Sequence, residues 1–196
     1  MKRLLLSLVI LIILIPFTVS AQDDAIKTVF SNLKITRISG FGGVDMSFAM
    51  LNGEFGHFMG GGGGLLINSF FVGAYGTGLT NSAFIPDQDQ NQIVGYGHGG
   101  FWLGYEFNYR NALHPVVSIK TGWGGAETKS GYHHFYDESF FIFTPMVGVE
   151  ANITRFFKIR AGAECQLAYG INQLEGFTNA DFMAPGMCLS FLFGGF

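Results

Sequence analysis

Charge is scarce in this sequence. Asp, Glu, Lys and Arg make up only 13% of its 196 residues, against roughly a quarter in an ordinary soluble domain. A soluble globule with so few charges would have too little polar surface to cover itself. The formal net charge of −3 gives no electrostatic reason to expect a nucleic-acid partner. Long apolar runs are also missing beyond the first twenty or so residues: no later stretch reaches the ~18 apolar residues of a spanning helix. A mature chain embedded in a membrane must then be a closed sheet, because only helices and closed barrels satisfy their backbone in lipid.

What is abundant fits that alternative. The sequence holds 29 Gly and 22 Phe, aromatics reach 16%, and mean hydropathy is +0.33. A chain of this length suits one domain. At the start, Lys2 and Arg3 precede an apolar run over 4–19, and Val19-Ser20-Ala21 offers small residues for signal peptidase, with Gln22 as the mature start. This is the three-part pattern of a secretory signal. The run holds Pro16 and is short for a membrane anchor, and no Cys follows the cleavage site to mark a lipoprotein. The expected organisation is a signal peptide over 1–21, a short periplasmic lead over 22–33 and a β-barrel over 34–196.

The barrel is written most clearly in 157–171. Phe157, Ile159, Ala161, Ala163, Cys165, Leu167, Tyr169 and Ile171 form one apolar row. Lys158, Arg160, Gly162, Glu164, Gln166, Ala168 and Gly170 form a charged, polar or small one. A period of two over this length means a strand; a helix would scatter both sets around its circumference. Weaker copies of the rhythm predict eight strands over 34–50, 54–67, 70–80, 92–108, 115–127, 138–152, 156–172 and 182–196. Pro145 removes a ladder donor and predicts a local defect in the sixth. Asn52-Gly53, Asn68-Ser69, 111–114 and 153–155 read as short connections, and 81–91, 128–137 and 173–181 as long polar loops. Short periplasmic turns and longer external loops are the asymmetry of outer-membrane barrels. Cys165 and Cys188 fall on opposite faces of neighbouring strands, which argues against a disulfide although export permits one.

On this register Arg37, Asp45, Glu106, Lys120, Glu150, Lys158, Arg160 and Glu164 point inward, as many acidic as basic. An eight-stranded barrel is just wide enough for side chains to fill, and charges there must pair or remain costly. The expectation is a salt-bridged polar core that leaves no pore. Phe70, Phe71, Phe107, Tyr109, Phe156, Phe157, Phe191 and Phe193 gather at the short turns as an aromatic girdle. Ala163 faces lipid, and inward-facing Gly162 is expected to tolerate alanine better than Ala163 tolerates arginine.

These features together resemble the small eight-stranded outer-membrane barrels of the OmpA/OmpX type. The blocks Ile38-Ser39-Gly40-Phe41-Gly42-Gly43, 60–71 and 99–107 are similar to exported barrel families with no established activity to carry over. The resemblance implies an outer-membrane location, insertion by the barrel-assembly machinery, contact with outer-membrane lipid, a monomer and no cofactor. Phe196 departs from the usual terminal signal. It falls with inward Leu192 and Ser190, not with the apolar row of Phe193, Phe191 and Leu189, and a bend at Gly194-Gly195 would restore its register.

Other chemistries find less support. Gly60 to Gly64 is followed by Leu65-Leu66-Ile67 and not by Lys-Ser/Thr, so it is no phosphate loop; a Gly-rich wall that makes room for large interior side chains is the preferred reading. His133, His134, Asp137 and Glu138 match no closed zinc spacing and read as a solvated loop beside Tyr132, Phe135 and Tyr136. A lipid-modifying enzyme would draw on His98, His133, His134, Ser139 and Glu138, but no nucleophile motif joins them. A lipocalin-like soluble barrel would need an apolar inside and a polar outside, the reverse of the rows seen here. The expected role is structural or one of surface interaction, with loops 81–91 and 128–137 as the contact surface for an external partner.

Overall fold

The computed structural model describes residues 34–51, 53–81, 92–130, 134–171 and 178–196. The proposed signal peptide and lead lie outside these residues. Eight strands follow one another: β1 (Ile38–Leu51), β2 (Glu54–Ile67), β3 (Phe70–Leu79), β4 (Gln92–Glu106), β5 (Leu113–Ser130), β6 (His134–Asn152), β7 (Phe157–Tyr169) and β8 (Ala184–Gly194). Each pairs antiparallel with the next, and β1 pairs with β8 from Phe41↔Gly194 to Ala49↔Gly186, closing the barrel. No edge strand remains, so every strand finds ladder partners on both sides. Among the described residues, no helix is long and apolar enough to cross a membrane.

The two-residue rhythm sets the faces. In β7, Lys158, Arg160, Gln166 and Ala168 are buried while Ala161, Ala163 and Tyr169 are exposed. Around the wall, Phe48, Met59, Leu65, Val72, Phe101, Leu103, Trp123, Val147 and Met187 all project outward. Lipid-facing and lumen-facing residues alternate in this way in membrane barrels. Cys165 and Cys188 are both free.

Turn chemistry sets the ends. Asn68 takes a positive φ of 54° in the two-residue link between β2 and β3, a conformation Asn tolerates better than most residues. Its Oδ1 accepts from the backbone N–H of Thr36 (2.8 Å) and of Arg37 (3.2 Å), fixing the entry to β1. Asn108, at φ 49°, turns the chain after β4, and Gly53 does so at φ 84° between β1 and β2.

Several expectations are corrected. The predicted loop 128–137 is mostly ladder, since pairing of β5 with β6 runs out to Ser130↔His134. Thr128, Phe135 and Tyr136 favour extended backbone, and the polar neighbours that suggested a loop do not prevent strand formation. The connection after β7 holds a turn of 3-10 helix, Asn179–Phe182, where the Asp181 carboxylate accepts from the N–H (2.6 Å) and hydroxyl (2.9 Å) of Thr178. Pro145 shifts no register, but the β6–β7 ladder skips Thr144 and Pro145 between Phe143↔Leu167 and Met146↔Glu164.

The glycine run answers to backbone proximity more than to side-chain volume. A Cβ on Gly64 would meet the Val72 carbonyl oxygen at 2.1 Å, and one on Gly62 the Ala74 oxygen at 2.6 Å with the Trp102 ring at 3.1 Å. Close approach of neighbouring strands at a tightly coiled wall is what glycine permits. Gly162 is constrained likewise: its Cβ would lie 2.7 Å from both the Val147 oxygen and Met146 Sδ. Space for a methyl group is lacking there, so alanine at Gly162 is expected to be costly as well.

Ala163→Arg is expected to cost about 2–4 kcal/mol by placing a guanidinium toward the bilayer midplane. Gly162→Ala is expected to cost about 1–3 kcal/mol by overpacking, while Ala163→Leu should assemble normally. Heat-modifiable gel migration after refolding into vesicles, followed across a urea series, measures all three.

Candidate functional site in the barrel lumen

The strand alternation delivers every polar side chain of the inner rows to one narrow space. Arg37, at the end where β1 begins, sits 11% exposed with Nη1 3.1 Å from Glu106 Oε2. Glu106 Oε1 in turn receives Lys158 Nζ at 3.1 Å. Lys158 also donates to Glu150 Oε1 at 2.6 Å, and Arg160 reaches Glu150 Oε2 through Nε (2.8 Å) and Nη2 (2.6 Å). Glu150, Lys158, Arg160 and Glu106 are each at most 1% exposed.

A second group lies deeper along the barrel. Lys120 Nζ donates to Asp45 and stands 3.5 Å from Glu164 Oε2. Ser190 Oγ donates to Asp45 Oδ1 at 2.6 Å, and Ser47 Oγ donates to Glu164. All eight charges assigned inward from the sequence thus lie in the lumen, though not as one set. The first group holds three cations, Arg37, Lys158 and Arg160, against two carboxylates. The second holds one cation against two carboxylates. The overall balance hides a positive surplus at one end and a negative one further in.

Aromatic rings separate and cap these groups. Phe41, Phe71 and Trp102 meet edge to face at 5.6–5.8 Å, and the Arg160 guanidinium lies over Phe71 (4.6 Å) and Trp102 (5.3 Å). Lys120 Nζ also faces Trp102, at 5.6 Å. Beyond the second group, His98 bridges Tyr75 Oη (3.0 Å) and Gln166 Oε1 (3.1 Å), and Gln166 donates onward to Tyr96. Tyr96, Phe58, Phe140 and Phe182 then form an apolar cluster. Phe182 comes from the 3-10 turn and is 0% exposed.

Sequence reasoning missed several of these residues. His114, expected in a turn, opens β5 fully buried, with Nδ1 3.1 Å from the Asn111 carbonyl and Nε2 3.2 Å from Glu150 Oε1. With Glu106 and Glu150 it makes the one cluster of potential metal ligands among the described residues, their atoms within 4.8 Å of one another. Lys158 Nζ already contacts both carboxylates there, so a lysine ammonium stands where a cation would bind. His98 and the 3-10 turn were likewise not assigned to the lumen, although Thr178 and Asp181 carry a capping spacing.

The girdle is also partly corrected. Phe70, Phe107, Phe156 and Phe193 are exposed outward, and Phe157, half-buried, stacks on Phe193 (4.9 Å) and Phe191 (6.4 Å). Phe71, 2% exposed, faces the lumen, because adjacent strand residues cannot share a face. Tyr109 lies past the end of β4, where alternation no longer applies, and stacks on Arg37 at 4.5 Å. Phe196 stays on the inner side, with Lys158 Nζ 4.5 Å from its ring centre. Of the residues weighed for catalysis, His98 is buried in the lumen and Ser139 is exposed on the β5–β6 hairpin. His133 and the side chains of His134, Asp137 and Glu138 lie outside what the structure describes.

A closed eight-stranded wall with an apolar outside and a charged inside defines the small outer-membrane barrel fold, and comparison with solved structures agrees. The chain superposes on the N-terminal β-barrel domain of Pseudomonas aeruginosa OprF with a TM-score of 0.58 at 12% identity, over 82% of this chain and 99% of that one. It is similar to Neisserial surface protein A at TM-score 0.59 and 12% identity, over 81% and 97% of the two chains. The fold is therefore OmpA/OmpX-like. No family model matches the sequence, and no curated protein matches it.

Breaking one partner of a buried pair leaves an uncompensated charge. Glu150→Gln, facing Lys158, Arg160 and His114, is expected to destabilise by about 3–5 kcal/mol. Lys120→Met should be the costlier change alone, because Asp45 and Glu164 lose the cation they share, and less so when combined with Asp45→Asn. Urea midpoints of the refolded barrel in vesicles, arranged as a double-mutant cycle, test this.

Proposed function

We propose that the protein is an exported outer-membrane barrel with a structural or surface-interaction role, its lumen closed to solutes. The observation that supports this reading is the succession of buried side chains along the interior, from the Arg37–Glu106 pair through Trp102 to the Phe58–Phe182 cluster. Ion pairs at this density suit a packed polar core, since an eight-stranded barrel has no width to spare for a water column. The outward apolar belt supports contact with outer-membrane lipid, and the fold supports insertion by the barrel-assembly machinery as a monomer.

The working surface for an external partner lies at the end away from Asn68-Ser69. Loop 82–91 falls outside the described residues, and the former loop 128–137 becomes the tip of the β5–β6 hairpin, whose strands of 18 and 19 residues are the longest in the barrel.

Purified protein in planar bilayers should show conductance at the background of the bilayer alone; steady channels would overturn the closed-lumen reading. On intact cells an epitope inserted at Gln88 should bind antibody and one at Asn111 should not. The reverse pattern would invert the orientation.

A further inference from the structure

A cavity lies outside the ion-pair core, at the mouth where β1 begins and β8 ends. It measures about 740 Å³, and its lining includes Arg37, Arg110 and Arg155 with no acidic side chain. Like charges gathered around one space repel unless an anion joins them. The ion-pair group immediately inside does not offset them: apart from Arg37 itself, Lys158 and Arg160 already match Glu106 and Glu150.

The geometry of the mouth is held in place without using up its donors. Tyr109 carries two guanidinium groups on its ring, Arg37 at 4.5 Å and Arg110 at 5.7 Å. Asn152 Nδ2 donates to the carbonyls of Tyr109 (2.9 Å) and Asn111 (2.8 Å), pinning the turn that bears Arg110 to the end of β6. Arg155 stands on the next short turn, where Thr154 and its neighbours are tied back to the Phe157 carbonyl. Arg37 spends Nη1 on Glu106 and the Asn68 carbonyl, yet its buried Nε and Nη2 have no hydrogen-bond partner among the described residues. Buried donors of a charged group are rarely left unused.

From these features we infer that the mouth is a binding site for a phosphate-bearing ligand. Guanidinium forks match phosphate oxygens bidentately, and three of them around one cavity suit a tetrahedral anion better than a two-oxygen carboxylate. The phosphate can belong to a membrane lipid headgroup or be free in solution. Arg110 and Arg155, both exposed, make first contact, and Arg37 provides the positive floor beneath Tyr109. This site is independent of whether the lumen conducts.

The test uses the full mature chain refolded in an uncharged maltoside detergent. Calorimetric titration with inorganic phosphate, against sodium chloride of matched ionic strength, should show saturable binding. Arg110→Gln/Arg155→Gln should weaken it by at least about tenfold, while Glu54→Gln, at the opposite end of the barrel, should leave it unchanged. Mixed micelles containing phosphatidic acid separate the two sources: competition with free phosphate assigns the headgroup, and its absence assigns a soluble anion. Phosphate should also protect Arg110 and Arg155 of the unaltered protein from phenylglyoxal, which keeps the test open if the double variant does not fold. Absence of saturable binding to phosphate and to phosphatidic acid, equal binding by the folded double variant, or no protection would overturn the assignment.

Discussion

Closing eight strands into a tube leaves room inside for side chains and little else, and the pairing of the charges buried in it follows from this. The wall cuts a side chain on an inner row off from bulk water. The Lys, Arg, Asp and Glu side chains buried there must therefore neutralise one another. Glu150 shows the consequence: one carboxylate contacts Lys158, Arg160 and His114 at 2.6–3.2 Å. Such a cluster adds little net stability over an apolar core of the same shape. It has a stronger effect on register, because a one-residue slip would turn Lys158 and Arg160 into lipid.

The same confinement explains why aromatic residues appear inside as well as outside. Glycines along β2 and β3 bring the strand backbones close, and the wall beside them contributes no side-chain volume. Trp102, Phe41 and Phe71 occupy the space that remains and lay their π-faces against Arg160 and Lys120. Cation–π contact gives Arg160 a further partner in the group where carboxylates are too few. The first ion-pair group, with its surplus cation, is the one flanked by Phe71, Trp102, Tyr109 and Phe196. Positive charge concentrates toward the short-turn end, continuous with the arginines of the mouth.

The two ends differ in kind. At one, short turns built on Asn68, Asn108 and Thr154 hold arginines around a cavity. At the other, Phe182 descends from the 3-10 turn onto Phe140 and Tyr96. The barrel thus presents packed aromatic rings toward one end and guanidinium groups at the other.

Two-residue alternation was enough to read six of the strands, the inward parity of the charged residues and the outward belt, because period and face are local properties of an extended chain; the Gly-rich β2 and β3 were legible through the Asn68-Ser69 turn between them. It also showed that Phe196 shares the inner row of Ser190 and Leu192. Where the ladder ends is not local. Ser130 and His134 are paired because β5 and β6 continue one ladder, with β4 paired to β5 as far as Lys129, which overrides the polarity that suggested a loop. Parity does not extend past a strand end, so Tyr109 leaves its row once Asn108 reverses the backbone; His114 keeps the inner parity of β5, which begins earlier than its polar neighbours suggest. Phe71 was miscounted for a different reason, since its neighbour Phe70 already held the outer face. Which charges pair, that they divide into unequal groups, and that three arginines from separate turns meet at one mouth depend on how far each strand is staggered around the closed tube. That stagger is set by the wall as a whole, and no single segment of the sequence carries it.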